Sequence, residues 1–222
     1  MDFRIIGPGR AGSSLRLALE ARGWRCLGSL GRRDDPTGAA NGVDLVVVAV
    51  PDDAIAAVAR SIEPGPAVLI HLSGAATLDR LAPHARRGSV HPLVSMPDPR
   101  IGADRLLAGA TFAVAGDPLA ARVVDALGGT AIEVAEERRA IYHAAAAVAS
   151  NHVVALWAQV ERLAAAADVP AEIYRELMDR SLDNARSQGA TAALTGPAAR
   201  DDLATLATHL DAIGPAEAAL YL

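Results

Sequence analysis

The chain has 222 residues, about half of them apolar, and a formal net charge of −5 at neutral pH. Such a size supports a large buried core without disulfides or metals, the apolar fraction excludes a disordered chain, and the mild acidity excludes a surface built for nucleic acid. All 21 basic residues are arginine, so no lysine is present to form a Schiff base or donate a proton.

The first elements alternate between short β-branched runs and helical patterns. A strand at "FRIIG" from Phe3, a helix from Ser13 to Arg22 and a strand at "RCLGSLG" from Arg25 form a βαβ unit. The near-continuous apolar run "VDLVVVAVP", Val43 to Pro51, is expected of a parallel strand covered on both faces, and "AVLIHLSG", Ala67 to Gly74, repeats that character. Further strands are expected at "GSVHPL" from Gly88, "ATFAVAG" from Ala110 and "TAIEVA" from Thr130. After Ala135 the stretch up to Pro170 contains neither glycine nor proline, and its large apolar residues recur at helical spacing, which predicts one helix of about 30 residues. More helix follows, interrupted by "TGPAARDD" from Thr195.

The fold class is therefore α/β: a Rossmann-type, mostly parallel sheet over residues 1–135, followed by an all-α domain over 136–222. Cys26 has no partner in the chain and reads as a buried, inert thiol. No basic-then-apolar leader opens the sequence, and no apolar run approaches the ~18–20 residues needed to cross a bilayer. A cytoplasmic protein with no membrane partner is expected. The scattered histidines and single cysteine make no metal-ligand spacing, so no metal is expected.

Gly7, Gly9 and Gly12 form G-x-G-x-x-G between a strand and a helix. In that context the first glycine allows a tight turn, the second lets a diphosphate approach the backbone, and the third lets helix and strand pack closely. Gly7, Gly9, Arg10, Ala11 and Gly12 are the expected diphosphate contacts, the phosphates resting on N–H groups at the positive end of the helix. The alternative is a purely structural turn.

The second strand ends in "SLGRRDD", which puts Arg32 and Arg33 where guanidinium groups would pair with a ribose 2′-phosphate. That points to NADP(H); the alternative is a solvated turn in which Asp34 or Asp35 holds an NAD ribose. In the same architecture "AVPDDAI" follows the fourth strand and "HLSGA" the next, which brings Val50, Pro51, Ser73 and Gly74 to the carboxyl edge of the sheet.

The combination "GPGRAG", "HLSGA", "SVHPLVSM", "YHAAAAVASNHVVAL" and "LTGPAARDD" resembles the bacterial family that joins a Rossmann-like domain to a C-terminal domain of formerly unknown function, DUF2520. That family is similar to the group holding 6-phosphogluconate dehydrogenase, ketopantoate reductase and pyrroline-5-carboxylate reductase. The resemblance implies an NADP-dependent reductase whose helical domain closes over the nicotinamide, often as a homodimer through that domain. It implies a small-molecule substrate, with a 2-oxo acid such as ketopantoate as first candidate. Members of the group place a lysine four residues before the asparagine that Asn151 matches; here that position is Ala147, so the proton donor has to be another group. The family's terminal helix is also expected to run on past "AALYL".

On a regular helix His143, Ala147, Ser150 and Asn151 share one side. His143 can donate a proton as hydride arrives and Asn151 can hold a carbonyl or carboxylate oxygen, with Ser150 beside it. The competing reading of His143 is a hydrogen-bonded, non-catalytic side chain. His91, before Pro92, is a substrate contact or alternative donor, or else a turn residue held extended by the proline. His71 reads as a core histidine, and His84, His152 and His209 as surface or packing residues. Arg200 in "TGPAARDD" is available for a substrate carboxylate, although capping by Thr195 accounts for much of that motif. Two rival functions stay open: a dinucleotide-binding sensor without turnover, and a hydride exchanger using a deazaflavin.

Overall fold

The computed structural model describes residues 1–221, which divide into two compact units, 1–147 and 148–221. In the first, seven strands form one sheet: β1 Asp2–Ile6, β2 Arg25–Leu30, β3 Leu45–Val48, β4 Val68–His71, β5 Arg87–Pro92, β6 Thr111–Gly116 and β7 Thr130–Glu133. Their spatial order is β2-β1-β3-β4-β5-β6-β7. The first five run parallel; β6 lies antiparallel to β5, and β7 parallel to β6. The run "VDLVVVAVP" is thus the third strand in chain order and not the fourth.

Why the central strands read as unbroken apolar runs is plain from their two covers. Leu45 and Val47 face a core shared with helices α1 Arg10–Ala21, α3 Pro99–Leu107 and α4 Leu119–Leu127, whereas Val46 and Val48 face a second core with helix α2 Ile55–Ser61. All four side chains are fully buried. The edge strand β2 alternates between exposed and half-buried positions, and Cys26 on it is half-buried rather than buried. Because β2 leaves β1 on one side and β3 leaves it on the other, strand order reverses beside β1, the place where open α/β sheets take ligands.

The expected helix of about 30 residues is present over residues 139–166, with one π-helical stretch inside it. A 3₁₀ turn at Glu136–Arg138 leads into α5 Arg139–Ala147, a π-turn spans Val148–His152, and α6 Val153–Ala166 follows. The division between the compact units falls at the start of that π-turn, beyond residue 135, so α5 belongs with the sheet.

The second unit contains α6, α7 Arg175–Gln188, α8 Ala190–Ala193 and α9 Leu203–Tyr221, the last bent at Gly214–Pro215. Glu217 of α9 accepts hydrogen bonds from Gln159 and Arg162 of α6, tying those helices together. Asp202, and not Thr195, caps α9, accepting from the Thr205 amide. The expected continuation past "AALYL" lies outside the described residues. Among the described residues no helix is long and apolar enough to cross a membrane.

His71 on β4 is fully buried, and burial together with the nearby Arg139 charge pushes its pKa down to about 4. The unfolded chain titrates this group near 6.5, so between those values it binds more protons than the native protein. The stabilising difference is complete above pH 6.5 and is lost as pH falls towards 4. Urea midpoints should therefore drop between pH 7 and pH 4.5, and drop less in His71→Leu; an equal drop in both proteins would refute the assignment.

Candidate functional site

Two groups of residues meet at the carboxyl edge of the parallel strands. The first is built by the glycine loop after β1. Gly7 adopts φ +92°, and a Cβ there would stand 2.3 Å from the Ala49 carbonyl oxygen. Gly12 lies so close to the loop that a Cβ would stand 2.3 Å from the Gly7 carbonyl oxygen. Gly9 is different: nothing lies within 4 Å of where its side chain would be. So Gly7 and Gly12 are demanded by the chain itself, whereas Gly9 keeps a space open.

That space lies at the start of α1, which begins at Arg10 and not at Ser13. Its N-cap is Gly9, no side chain caps it, and its first turn carries no acidic residue. The amides of Arg10, Ala11 and Gly12 therefore lack both a helical acceptor and a capping oxygen, and the helix dipole adds positive potential there. An anion with several oxygens suits this arrangement.

Beside it, Gly31 follows β2, and Asp34 accepts from the Gly31 amide at 2.7 Å while Asp35 accepts from Thr37. Both carboxylates are thus engaged in their own turn, and no acidic residue ends β2. Arg32 and Arg33 are exposed and make no hydrogen bond or ion pair among the described residues. Their guanidinium groups are available to a doubly charged phosphate, as is that of the exposed Arg10.

The second group is centred on the loop after β4. Ser73 donates its hydroxyl proton to Asp52 at 2.7 Å, and its oxygen accepts from the amides of Ala75 and Ala76. The hydroxyl is thereby saturated, and it joins the loop after β4 to the one after β3 that carries the half-buried Val50 and the exposed Pro51. Arg139, at the start of α5, is 2 % exposed and donates to the Ser73 carbonyl at 2.9 Å. Its remaining nitrogens Nε and Nη1 have no hydrogen-bond partner among the described residues. The Leu78 amide donates to Glu136 at 3.1 Å, a second tie between the β4 loop and the approach to α5.

These ties hold Gly74 against two imidazoles. A Cβ on Gly74 would stand 2.6 Å from His143 Cδ2 and 2.9 Å from His91 Nε2. The His91 and His143 rings meet edge to face with centroids 5.5 Å apart. His91 Nδ1 shares a 2.8 Å hydrogen bond with the Tyr142 hydroxyl. Burial and the charges of His143 and Arg139 push His91 down to about 4, so it is neutral at physiological pH, and burial raises the pKa of Tyr142.

Of the residues read from the sequence, the structure brings Ser73, Gly74, His91 and His143 into one cluster. Ser150, Asn151 and Arg200 lie in the second unit, all exposed. The π-turn at Val148–His152 breaks the 3.6-residue period on which the shared face of His143, Ala147, Ser150 and Asn151 was predicted. Asp52, Arg139 and Tyr142 were missed; an arginine and a tyrosine flanking the apolar pair Ala140–Ile141, just ahead of His143, were the available signal. Among the described residues no cluster of His, Cys, Asp and Glu could hold a metal ion.

The family described as "Domain of unknown function (DUF2520)" matches residues 110–222. No curated protein matches the chain. Among solved structures, the fold is shared with BF3122 of Bacteroides fragilis, at 17 % identity and TM-score 0.80 over 99 % of this chain and 93 % of that one. It is shared with pyrroline carboxylate reductase of Plasmodium falciparum with NADP bound, at 15 % identity and TM-score 0.67 over 94 % and 90 %. An imine reductase of Streptomyces aurantiacus has 15 % identity and TM-score 0.62 over 83 % and 74 %.

The loop geometry separates two glycine substitutions. Gly12→Ala should cost about 1–3 kcal/mol, because its methyl group meets backbone. Gly9→Ser should leave stability unchanged or raise it slightly, since serine is a favoured N-cap and the site is open. Thermal unfolding of both variants checks this, and a large loss in Gly9→Ser would contradict it.

Proposed function

The chain belongs to the DUF2520 family, and on that footing we propose that it is an NADP-dependent reductase of a small carbonyl or imine compound. The observation that carries the reading is the uncapped first turn of α1, held open at Gly9 and flanked by arginines without partners. The amides of Arg10, Ala11 and Gly12 would take the diphosphate, and Arg32 and Arg33 the 2′-phosphate that distinguishes NADP from NAD. Gly7, Val50, Pro51, Ser73 and Gly74 would frame the remainder at the sheet edge. The NADP bound by the similarly folded Plasmodium reductase supports this choice.

NADPH, when bound, supplies the hydride. What the chain supplies is a proton donor and a dry, fixed setting for it. Arg139 and Asp52 immobilise Ser73, Ser73 fixes Gly74, and Gly74 leaves room for the edges of His91 and His143. His91 and His143 are the proposed catalytic histidines. Ser150, Asn151 and Arg200 are proposed as substrate contacts from the sequence reading. A sensor that only binds dinucleotide would need the glycine loop and the arginines, but would have no use for two imidazoles and a phenol gathered at the sheet edge. For the substrate, a 2-oxo acid of the ketopantoate kind comes from the family resemblance, and a cyclic imine from the named reductases that share the fold. A free thiol at Cys26 suits a reducing, cytoplasmic setting.

Titration with NADPH and NADH followed by a panel of 2-oxo acids and cyclic imines tests the proposal. The double variant Arg32→Ala/Arg33→Ala should weaken NADPH at least tenfold and NADH less than twofold, since a hydrogen bond to a charged group contributes about 1.5–3 kcal/mol. Gly9→Ser should weaken both, its hydroxyl competing for the same amides. His143→Ala and His91→Ala should lower kcat at least tenfold on whichever compound is reduced. No binding of either nucleotide, or full activity in both histidine variants, would end this reading.

We also propose a homodimer through the helical unit. Among its described residues only Gln159 and Ala164 are buried, while Ile173, Leu177 and Leu203 are 59, 65 and 73 % exposed. So much uncovered apolar surface favours association. Sedimentation should show a dimer in the native protein and a monomer in Leu177→Glu; a monomeric wild type would refute it.

A further inference from the structure

Building on the reductase reading, we propose that Tyr142 holds His91 as a neutral Nε2–H donor at the Gly74 edge and replaces the proton His91 gives away, the function left open by the absence of lysine.

A neutral imidazole has one N–H and one lone pair, so the partner of one nitrogen determines the state of the other. The Tyr142 hydroxyl lies 2.8 Å from His91 Nδ1. The phenol is the stronger acid of the two and the imidazole nitrogen the stronger base, so the favoured bond runs from the phenol O–H to the Nδ1 lone pair. The positive charge of Arg139 acts on Tyr142 and sharpens that preference. With Nδ1 occupied as an acceptor, the ring proton sits on Nε2. That nitrogen lies 2.9 Å from where a Gly74 side chain would begin, so any side chain at position 74 would cover it. His143 packs edge to face on the same ring and limits its rotation.

The proton balance then closes without lysine. As the hydride pair reaches the substrate carbon, the carbonyl oxygen gains negative charge and takes the Nε2 proton; an imine nitrogen would take the same proton. The phenol proton moves to Nδ1, leaving His91 neutral in its other tautomer and Tyr142 as a phenolate. An alkoxide is more basic than a phenolate, so the transfer runs downhill, and the Arg139 charge favours the phenolate. After product leaves, a solvent proton reprotonates Nε2 and the Nδ1 proton returns to the Tyr142 oxygen, which restores the starting tautomer. Charging the buried imidazole is avoided throughout, which its surroundings require.

Nitrogen-15 NMR of histidine-labelled protein without ligands reads the tautomer directly. At pH 7.5 we expect His91 with Nε2 protonated and Nδ1 bare, and a mixed population in Tyr142→Phe. Steady-state kinetics should then show Tyr142→Phe lowering kcat about ten- to a hundredfold, with KM changed less than threefold and NADPH affinity unchanged. A wild-type His91 protonated on Nδ1, or a Tyr142→Phe variant with undiminished kcat, overturns the proposal. The two readings fail separately: a wrong tautomer in the unliganded protein removes the relay, whereas a wild type with the expected tautomer that reduces nothing removes the reductase.

Discussion

The guanidinium of Arg139 is the constraint around which the chemistry of this sheet edge is arranged. It is buried, it meets the Ser73 carbonyl, and two of its nitrogens have no partner among the described residues. A buried charge so placed is costly and survives only where the surrounding structure holds it. Here the return is positional and electrostatic together. Through Ser73 it fixes the turn that presents Gly74, and its charge adds to the burial that keeps His71 and His91 neutral. A lysine there would be a weaker choice, since burial readily strips its proton, whereas arginine stays charged.

The two halves of the candidate site follow from one topological fact. Strands β1, β3 and β4 lie side by side and parallel, so their following loops open at the same edge. The loop after β1 gives bare amides for an anion, and the loops after β3 and β4 are locked to each other by the Asp52–Ser73 bond. The proposed anion site and the proposed proton donors would therefore sit on neighbouring turns of one sheet edge.

How far this was legible in the sequence depended on whether the signal was local. The apolar runs of β3 and β4 are readable because both faces of a parallel strand are covered, and the glycine spacing is readable because the turn and the close approach constrain backbone within six residues. The π-turn was not, because nothing in the composition of Val148–His152 distinguishes it from an α-turn. Asp52, Arg139 and Tyr142 were missed for another reason. Their partners Ser73 and His91 lie 21, 66 and 51 residues away, and only the fold brings such pairs together. Thr195 shows the converse: a plausible cap by residue type, displaced by Asp202, whose carboxylate stands nearer the first amides of α9.

The absence of lysine also bears on how a proton can be delivered here at all. Arginine holds its protons too tightly to donate one, so the 21 basic residues of the chain are excluded as donors. What remains at the sheet edge are imidazoles and a phenol. Burial that lowers the His91 pKa removes that ring's imidazolium; a neutral ring can still deliver a proton if another group refills it from behind. Tyr142 is that group by position, bonded to the nitrogen of His91 that faces away from Gly74. The same burial that takes the imidazolium from His91 thus leaves the phenol beside a buried guanidinium as the group placed to refill that ring.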